Sequence, residues 1–76
     1  MIKAYILIEM MAGHSRDLVR VLVERKLVTE VDRVTGPYDV VAVIEAGDLN
    51  AISEIVASEI HTLPGVVRTN TCVSLE

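Results

Sequence analysis

Thr35-Gly36-Pro37-Tyr38-Asp39-Val40-Val41-Ala42-Val43-Ile44-Glu45-Ala46 is the stretch that decides how this chain folds. Adjacent Gly and Pro punctuate structure strongly. Pro37 fixes its own φ and steers Gly36 out of the α region. Tyr38 to Ala46 then reads as a short β-branched strand free of Gly and Pro. Its faces are Tyr38, Val40, Ala42, Ile44 and Asp39, Val41, Val43, Glu45. The first is wholly apolar, and the second is apolar at its centre with a charge at each end. A strand with an apolar middle on both faces must be covered on both sides.

The N-terminal run repeats this pattern. Lys3 to Met10 places Ile2, Ala4, Ile6, Ile8 and Met10 on one side, with Lys3, Tyr5, Leu7 and Glu9 on the other. Two strands with the same charged-apolar-apolar-charged face are expected side by side. Between them, Ala12-Gly13-His14 is a loop, and Ser15 is placed to cap a helix. Leu18, Val21 and Leu22, broadened by Val19 and Val23, form its apolar stripe, and Arg25-Lys26 suits its negative end. The helix is expected to end near Lys26. Val28 to Val34 carries three charges, Glu30, Asp32 and Arg33, and suits a sheet edge.

After the central stretch, Gly47 breaks the strand and Asp48 caps a second helix. Leu49, Ile52, Ile55, Val56, Ile60 and Leu63 supply its stripe, and Pro64-Gly65 stops it. Val66 to Leu75 is the last strand, with Val67, Thr69, Thr71, Val73 and Leu75 alternating with Arg68, Asn70, Cys72 and Ser74. The order is β-α-β-β-α-β, one α+β domain over residues 1–76 with no linker. Right-handed crossovers and burial of the two apolar strands predict an antiparallel sheet ordered 4-1-3-2, with both helices on one face. The other face then exposes Tyr5, Leu7, Val41 and Val43 inside a charged rim. That is the anatomy of an interface, so a homodimer packed sheet against sheet is expected.

Composition supports assembly. A chain of 76 residues buries only about 60% of its unfolded surface on folding. Yet 51% of the residues are hydrophobic, without Phe or Trp. The net charge of −4 and the scattered basic residues argue against direct nucleic-acid binding. The single cysteine, Cys72, rules out an internal disulfide and suits a cytoplasmic setting. No run approaches the length of a membrane span, and no signal-peptide pattern opens the chain.

Reactive groups are few. His14 and His61 have no ligand partners at metal-site spacing, so no metal or other cofactor is expected. No nucleophile triad or phosphate loop is present, and no catalytic residue is assigned. The strongest candidate site is Gly36-Pro37-Tyr38-Asp39. A Gly-containing turn exposes N–H groups that can hold a carboxylate, and Asp39 can hold an ammonium. Together they complement a zwitterion such as a free amino acid. Thr69 and Thr71 add hydroxyls on an edge strand.

Thr35-Gly36-x-Tyr38-Asp39 before an apolar strand, then Leu63-Pro64-Gly65-Val66, then Thr71 near the end, resembles the effector-binding (RAM) domain of the Lrp/AsnC regulators. The resemblance covers essentially the whole chain. It implies a ferredoxin-like sandwich, dimers joined through their sheets, dimers assembled into rings, and amino acids bound between dimers near Gly36 to Asp39. Family members usually carry an N-terminal helix-turn-helix. This chain opens on its first strand and so resembles the stand-alone members, with co-assembly with full-length regulators as a further expectation. The leading expectation is a non-enzymatic amino-acid effector module acting through oligomer assembly. The alternatives are a small dimeric enzyme of the same fold (a cofactor-free isomerase or monooxygenase using His14, Tyr5 or Asp39), an ACT-type regulatory module, or a purely structural assembly unit.

Overall fold

A computed structural model describes residues 1–75; the last position of the expected 1–76 domain, Glu76, lies outside the described residues. The elements run β1 (Ile2–Met10), α1 (Ser15–Leu22), β2 (Val28–Arg33), β3 (Val40–Ala46), α2 (Leu49–Ile55) continued by a π-type turn (Val56–Ile60), and β4 (Val66–Val73). The four strands form one antiparallel sheet ordered β2-β3-β1-β4, the predicted 4-1-3-2 read from the other edge.

β1 and β3 are central because they alone have two faces to bury. They pair from Ile2 opposite Ala46 to Ile8 opposite Val40. Ala4, Ile6, Ile8 and Met10 on β1 and Val40, Ala42, Ile44 and Ala46 on β3 are buried against Leu18 and Leu22 of α1 and Ile52 and Ile60 from α2 and its π turn. Each fully buried aliphatic side chain contributes roughly 1.5–3 kcal/mol. Both helices cover this one face. β2 and β4 are the edges, and their burial is partial, as their polarity requires.

The helix ends differ from expectation in instructive ways. Ser15 is the first helical residue and not the cap; His14 occupies the cap position without a side-chain hydrogen bond. α1 stops at Leu22, a turn before Lys26. There the Glu24 N–H donates to the Val21 carbonyl (3.2 Å) and the Arg25 N–H to the Leu22 carbonyl (3.0 Å), bonds too tight to continue an α-helix. The early stop lets the Leu27 carbonyl accept from the Glu45 N–H (3.1 Å), which starts β2 beside the end of β3. Val23, expected to widen the apolar stripe, is 59% exposed in consequence.

Asp48 caps α2 as predicted: its Oδ1 accepts from the Ala51 N–H at 2.8 Å. Leu49, assigned to the stripe, lies largely in solvent at the first helical position. The last turns widen to π geometry, closed by the His61 N–H donating to the Val56 carbonyl (2.8 Å). The Ser58 hydroxyl donates to the Glu54 carbonyl and the Thr62 hydroxyl to the Ser58 carbonyl, which loosens the α pattern there. Pro64-Gly65 then ends the segment. Gly65 has φ +86°, and a Cβ there would stand 2.5 Å from His14 Cβ, so the turn docks on the α1 entry only because it lacks a side chain. The Met11 N–H donates to the Gly65 carbonyl (2.8 Å) across the same contact.

Candidate ligand-binding site

The β2–β3 connection is a four-residue loop, Thr35 to Tyr38, closed by the Val34 N–H donating to the Asp39 carbonyl at 2.9 Å. Gly36 has φ +128°, and no atom lies within 4 Å of where a Cβ would be. The backbone here is therefore open to a ligand, and the glycine serves conformation and not packing. Gly36→Ala is expected to cost about 1 kcal/mol through φ strain alone. A chemical denaturation curve with an unchanged slope and a lower midpoint would register it.

Asp39 has a partner that the sequence did not disclose. Its N–H donates to the Ile8 carbonyl (2.9 Å), and its Oδ2 accepts from the Met10 N–H at 2.7 Å. The β1–β3 ladder stops at Ile8 and Val40, and β1 shifts register against β4 between Glu9 and Met10. The carboxylate thus stands in for the ladder carbonyl that Met10 would otherwise need, since buried N–H groups require an acceptor. One oxygen pins the turn to β1.

Tyr38 was expected on the apolar face with Val40. It precedes the strand and leaves that face. Its hydroxyl accepts from the Asn70 side chain, and its ring lies 5.6 Å under the Arg68 guanidinium. Arg68 also pairs with Glu9 at 3.1 Å. Arg68 and Asn70 sit opposite Glu9 and Leu7 in the register, on the sheet face away from the helices. Thr69 and Thr71 sit opposite Ile8 and Ile6, on the helix side. Within one chain, then, the turn meets Arg68 and Asn70, with Glu9 behind Arg68, and not the two threonines. Thr69 lies two strand spacings, about 10 Å, across the sheet from Val40. The strand alternation held the signal for Arg68 and Asn70, but only the register tells which face Tyr38 joins.

The open face carries Tyr5 and Val43, paired opposite each other, beside the Leu7–Val41 pair. Tyr5 is 38% exposed and Leu7 and Val41 are half-buried, whereas Val43 is only 6% exposed, being sheltered by its neighbours in the single chain. Lys3 lies 5.3 Å over the Tyr5 ring. Its pKa is raised, first by the Tyr5 hydroxyl and then by the carboxylates of Glu45 and Glu30. Glu30 and Asp32 extend the rim through their pairing with Val43 and Val41. An apolar centre ringed by Lys3, Glu9, Glu30, Asp32, Glu45 and Arg68 results.

Two cavities lie away from the Gly36 turn. The larger, about 260 Å³, lies at the far end of β3, beside the α1–β2 connection. The other, about 170 Å³, lies between α1 and Pro64. Among the described residues no three His, Cys, Asp or Glu side chains gather at metal-binding spacing, and no helix is long and apolar enough to cross a membrane.

Comparison with known proteins places this geometry. The chain matches the Lrp/AsnC ligand binding domain over residues 3–76. Among solved structures, TTHA0845 from Thermus thermophilus is 36% identical, with a TM-score of 0.94 over 100% of this chain and 95% of its own. The hypothetical protein PHS023 from Pyrococcus horikoshii is 26% identical, with a TM-score of 0.91 over 100% of this chain and 92% of its own. The transcriptional regulator NMB0573 from Neisseria meningitidis, solved as a complex with L-Met, is 19% identical and shares the fold at a TM-score of 0.89; the match covers 99% of this chain and 50% of that regulator. No curated protein sequence matches the chain. With the family match spanning nearly all of its residues, the chain belongs to the Lrp/AsnC family and carries its ligand-binding domain.

Proposed function

We propose that residues 1–76 form one effector-binding module, non-enzymatic, that takes up a free amino acid at the Gly36–Asp39 turn and acts by changing its own assembly. The observation that carries this reading is the pairing of an open, positive-φ turn with a sheet face left uncovered at Tyr5, Leu7 and Val41. The turn offers backbone donors and the free oxygen of Asp39, complementary to a carboxylate and an ammonium. It is too exposed to enclose a ligand alone. A second protomer packing on the open face, and further dimers abutting near the turn, would supply the missing walls. The L-Met complex of the Neisseria regulator supports an amino acid as the ligand class.

Coupling follows from geometry. A ligand held by groups from two dimers binds the assembled state better than the separated one, so it shifts the equilibrium toward assembly. Sedimentation velocity over a concentration series, with and without millimolar amino acids, tests this. The expected result is a dimer without ligand and a larger species favoured by one amino acid or a related group. An unchanged distribution with every amino acid would oppose the assembly mechanism.

A further inference from the structure

We propose that the cleft between the α1–β2 connection and the π turn is a second binding site, contained within one protomer, for a free amino acid with an aliphatic side chain. It lies at the far end of β3, about 20 Å along the strand from the Gly36 turn. It shares no residue with that turn, so it stands or falls independently of it.

Three separate features converge there. The first is the cavity of about 260 Å³, lined by Glu24, Arg25, Lys26, Leu27, Ile55 and Glu59 among others. The second is Arg25 Nε, a buried donor with no hydrogen-bond partner among the described residues. Buried polar groups in folded proteins are nearly always paired, and an orphan points to a missing partner. The third is the π turn itself, which carries Glu59. Such turns are uncommon and recur at functional positions.

The charges define the ligand. Arg25 Nη1 pairs with Glu59 at 3.3 Å, and both side chains are about two-fifths exposed. Lys26 and Glu24 flank them, so the rim carries two positive and two negative groups. A simple anion would meet two carboxylates, and a simple cation would meet Arg25 and Lys26. A zwitterion meets both sets favourably. Its carboxylate goes to Arg25 and Lys26, and opening of the Arg25–Glu59 pair lets the guanidinium turn its shielded, orphaned Nε–H toward that acceptor. Its ammonium goes to Glu59 and Glu24. An exposed ion pair is weak, so opening it costs little, and one contact is exchanged for two. Leu27, Val28 and Ile55 form an aliphatic floor for the side chain, with no aromatic ring to stack on.

Amide chemical-shift mapping of the 15N-labelled protein with L-isoleucine tests the site. Saturable shifts at Leu27, Val28, Ile55 and Glu59 are expected, with affinity falling about tenfold or more in Arg25→Gln and in Glu59→Gln. Isoleucinamide, lacking the carboxylate, and 3-methylpentanoate, lacking the ammonium, should each bind more weakly than L-isoleucine. No shift in the cleft of the wild-type protein would overturn the proposal, as would undiminished affinity in both variants or equal binding of both analogues. Because both side chains are about two-fifths exposed and each variant keeps a polar, uncharged group there, the variants are expected to keep the wild-type spectrum elsewhere. Shifts confined to the Gly36–Asp39 segment would also overturn it while leaving the turn site intact. Shifts confined to the cleft would support it and count against the turn.

Discussion

Val41→Asp is expected to leave a folded monomer in place of the proposed sheet-to-sheet dimer. Val41 sits beside Leu7 at the centre of the face that no helix covers, and it is half-buried in the single chain. In the monomer an aspartate there faces water opposite Asp32, a like-charge contact that costs about 1 kcal/mol or less and leaves the fold intact. In a sheet-to-sheet dimer it brings one unpaired carboxylate from each copy into an apolar contact. An uncompensated buried charge costs about 3 kcal/mol or more per protomer. Two copies amount to roughly a ten-thousand-fold rise in the dissociation constant. Light scattering behind size exclusion would register the mass, and circular dichroism the retained fold. A Val41→Asp protein that elutes as the same dimer would place the interface elsewhere. Val43→Asp is a poorer probe, because Val43 is buried within one chain and its loss would also weaken the fold.

Asp39→Ala is expected to act twice. Removing the carboxylate strands the Met10 N–H, whose 2.7 Å bond to Oδ2 holds the turn against β1. Leaving a buried donor unsatisfied costs about 1–3 kcal/mol. In a domain of this size each kcal/mol lowers the melting temperature by about 4–8 °C. The same substitution removes the negative charge offered to a ligand ammonium, so amino-acid affinity should fall as well. Asp39→Asn separates the two effects. Its amide oxygen can still accept from Met10, so stability should largely return, while the loss of charge keeps affinity low. Thermal melts and isothermal titration on the three proteins decide the matter. Full affinity in Asp39→Asn would reduce Asp39 to a purely architectural residue, and full stability in Asp39→Ala would deny the Met10 bond its weight.

The fold was legible because its signals agreed. Alternation in Lys3–Met10 and in Tyr38–Ala46 marked the two central strands, the second starting two residues later than read, and the polar run Val28–Val34 marked an edge. Gly36-Pro37 and Pro64-Gly65 placed the turns. The misreadings are local and have physical causes. Lys26 looked like a helix terminus because its charge suits one, but the chain had to leave α1 at Leu22 for Leu27 to reach Glu45. Ser15 looked like a cap, but a helix start is set by backbone geometry, which here begins at Ser15 itself.

The site was only half legible. Gly36 and Asp39 declared themselves through turn chemistry. Their neighbours Glu9, Arg68 and Asn70 did not, because they come from strands far away in sequence. Tyr38 reaches Arg68 and Asn70 only by leaving the alternation that its position suggested. Likewise, nothing in the residue pattern told that Asp39 already serves Met10, a contact spanning 29 positions. Thr69 and Thr71 read as ligand hydroxyls on an edge strand, and the register sets them on the helix side of the sheet, opposite in face to Arg68 and Asn70.

The most direct test of the central claim is a dye-reported thermal-shift panel of the free amino acids, suited to a chain without Trp. A ligand at about 100 times its dissociation constant adds about 2.7 kcal/mol of stability. The account predicts a clear rise in melting temperature with one amino acid or a chemically related few. Unchanged melting with all of them at millimolar concentration would contradict it.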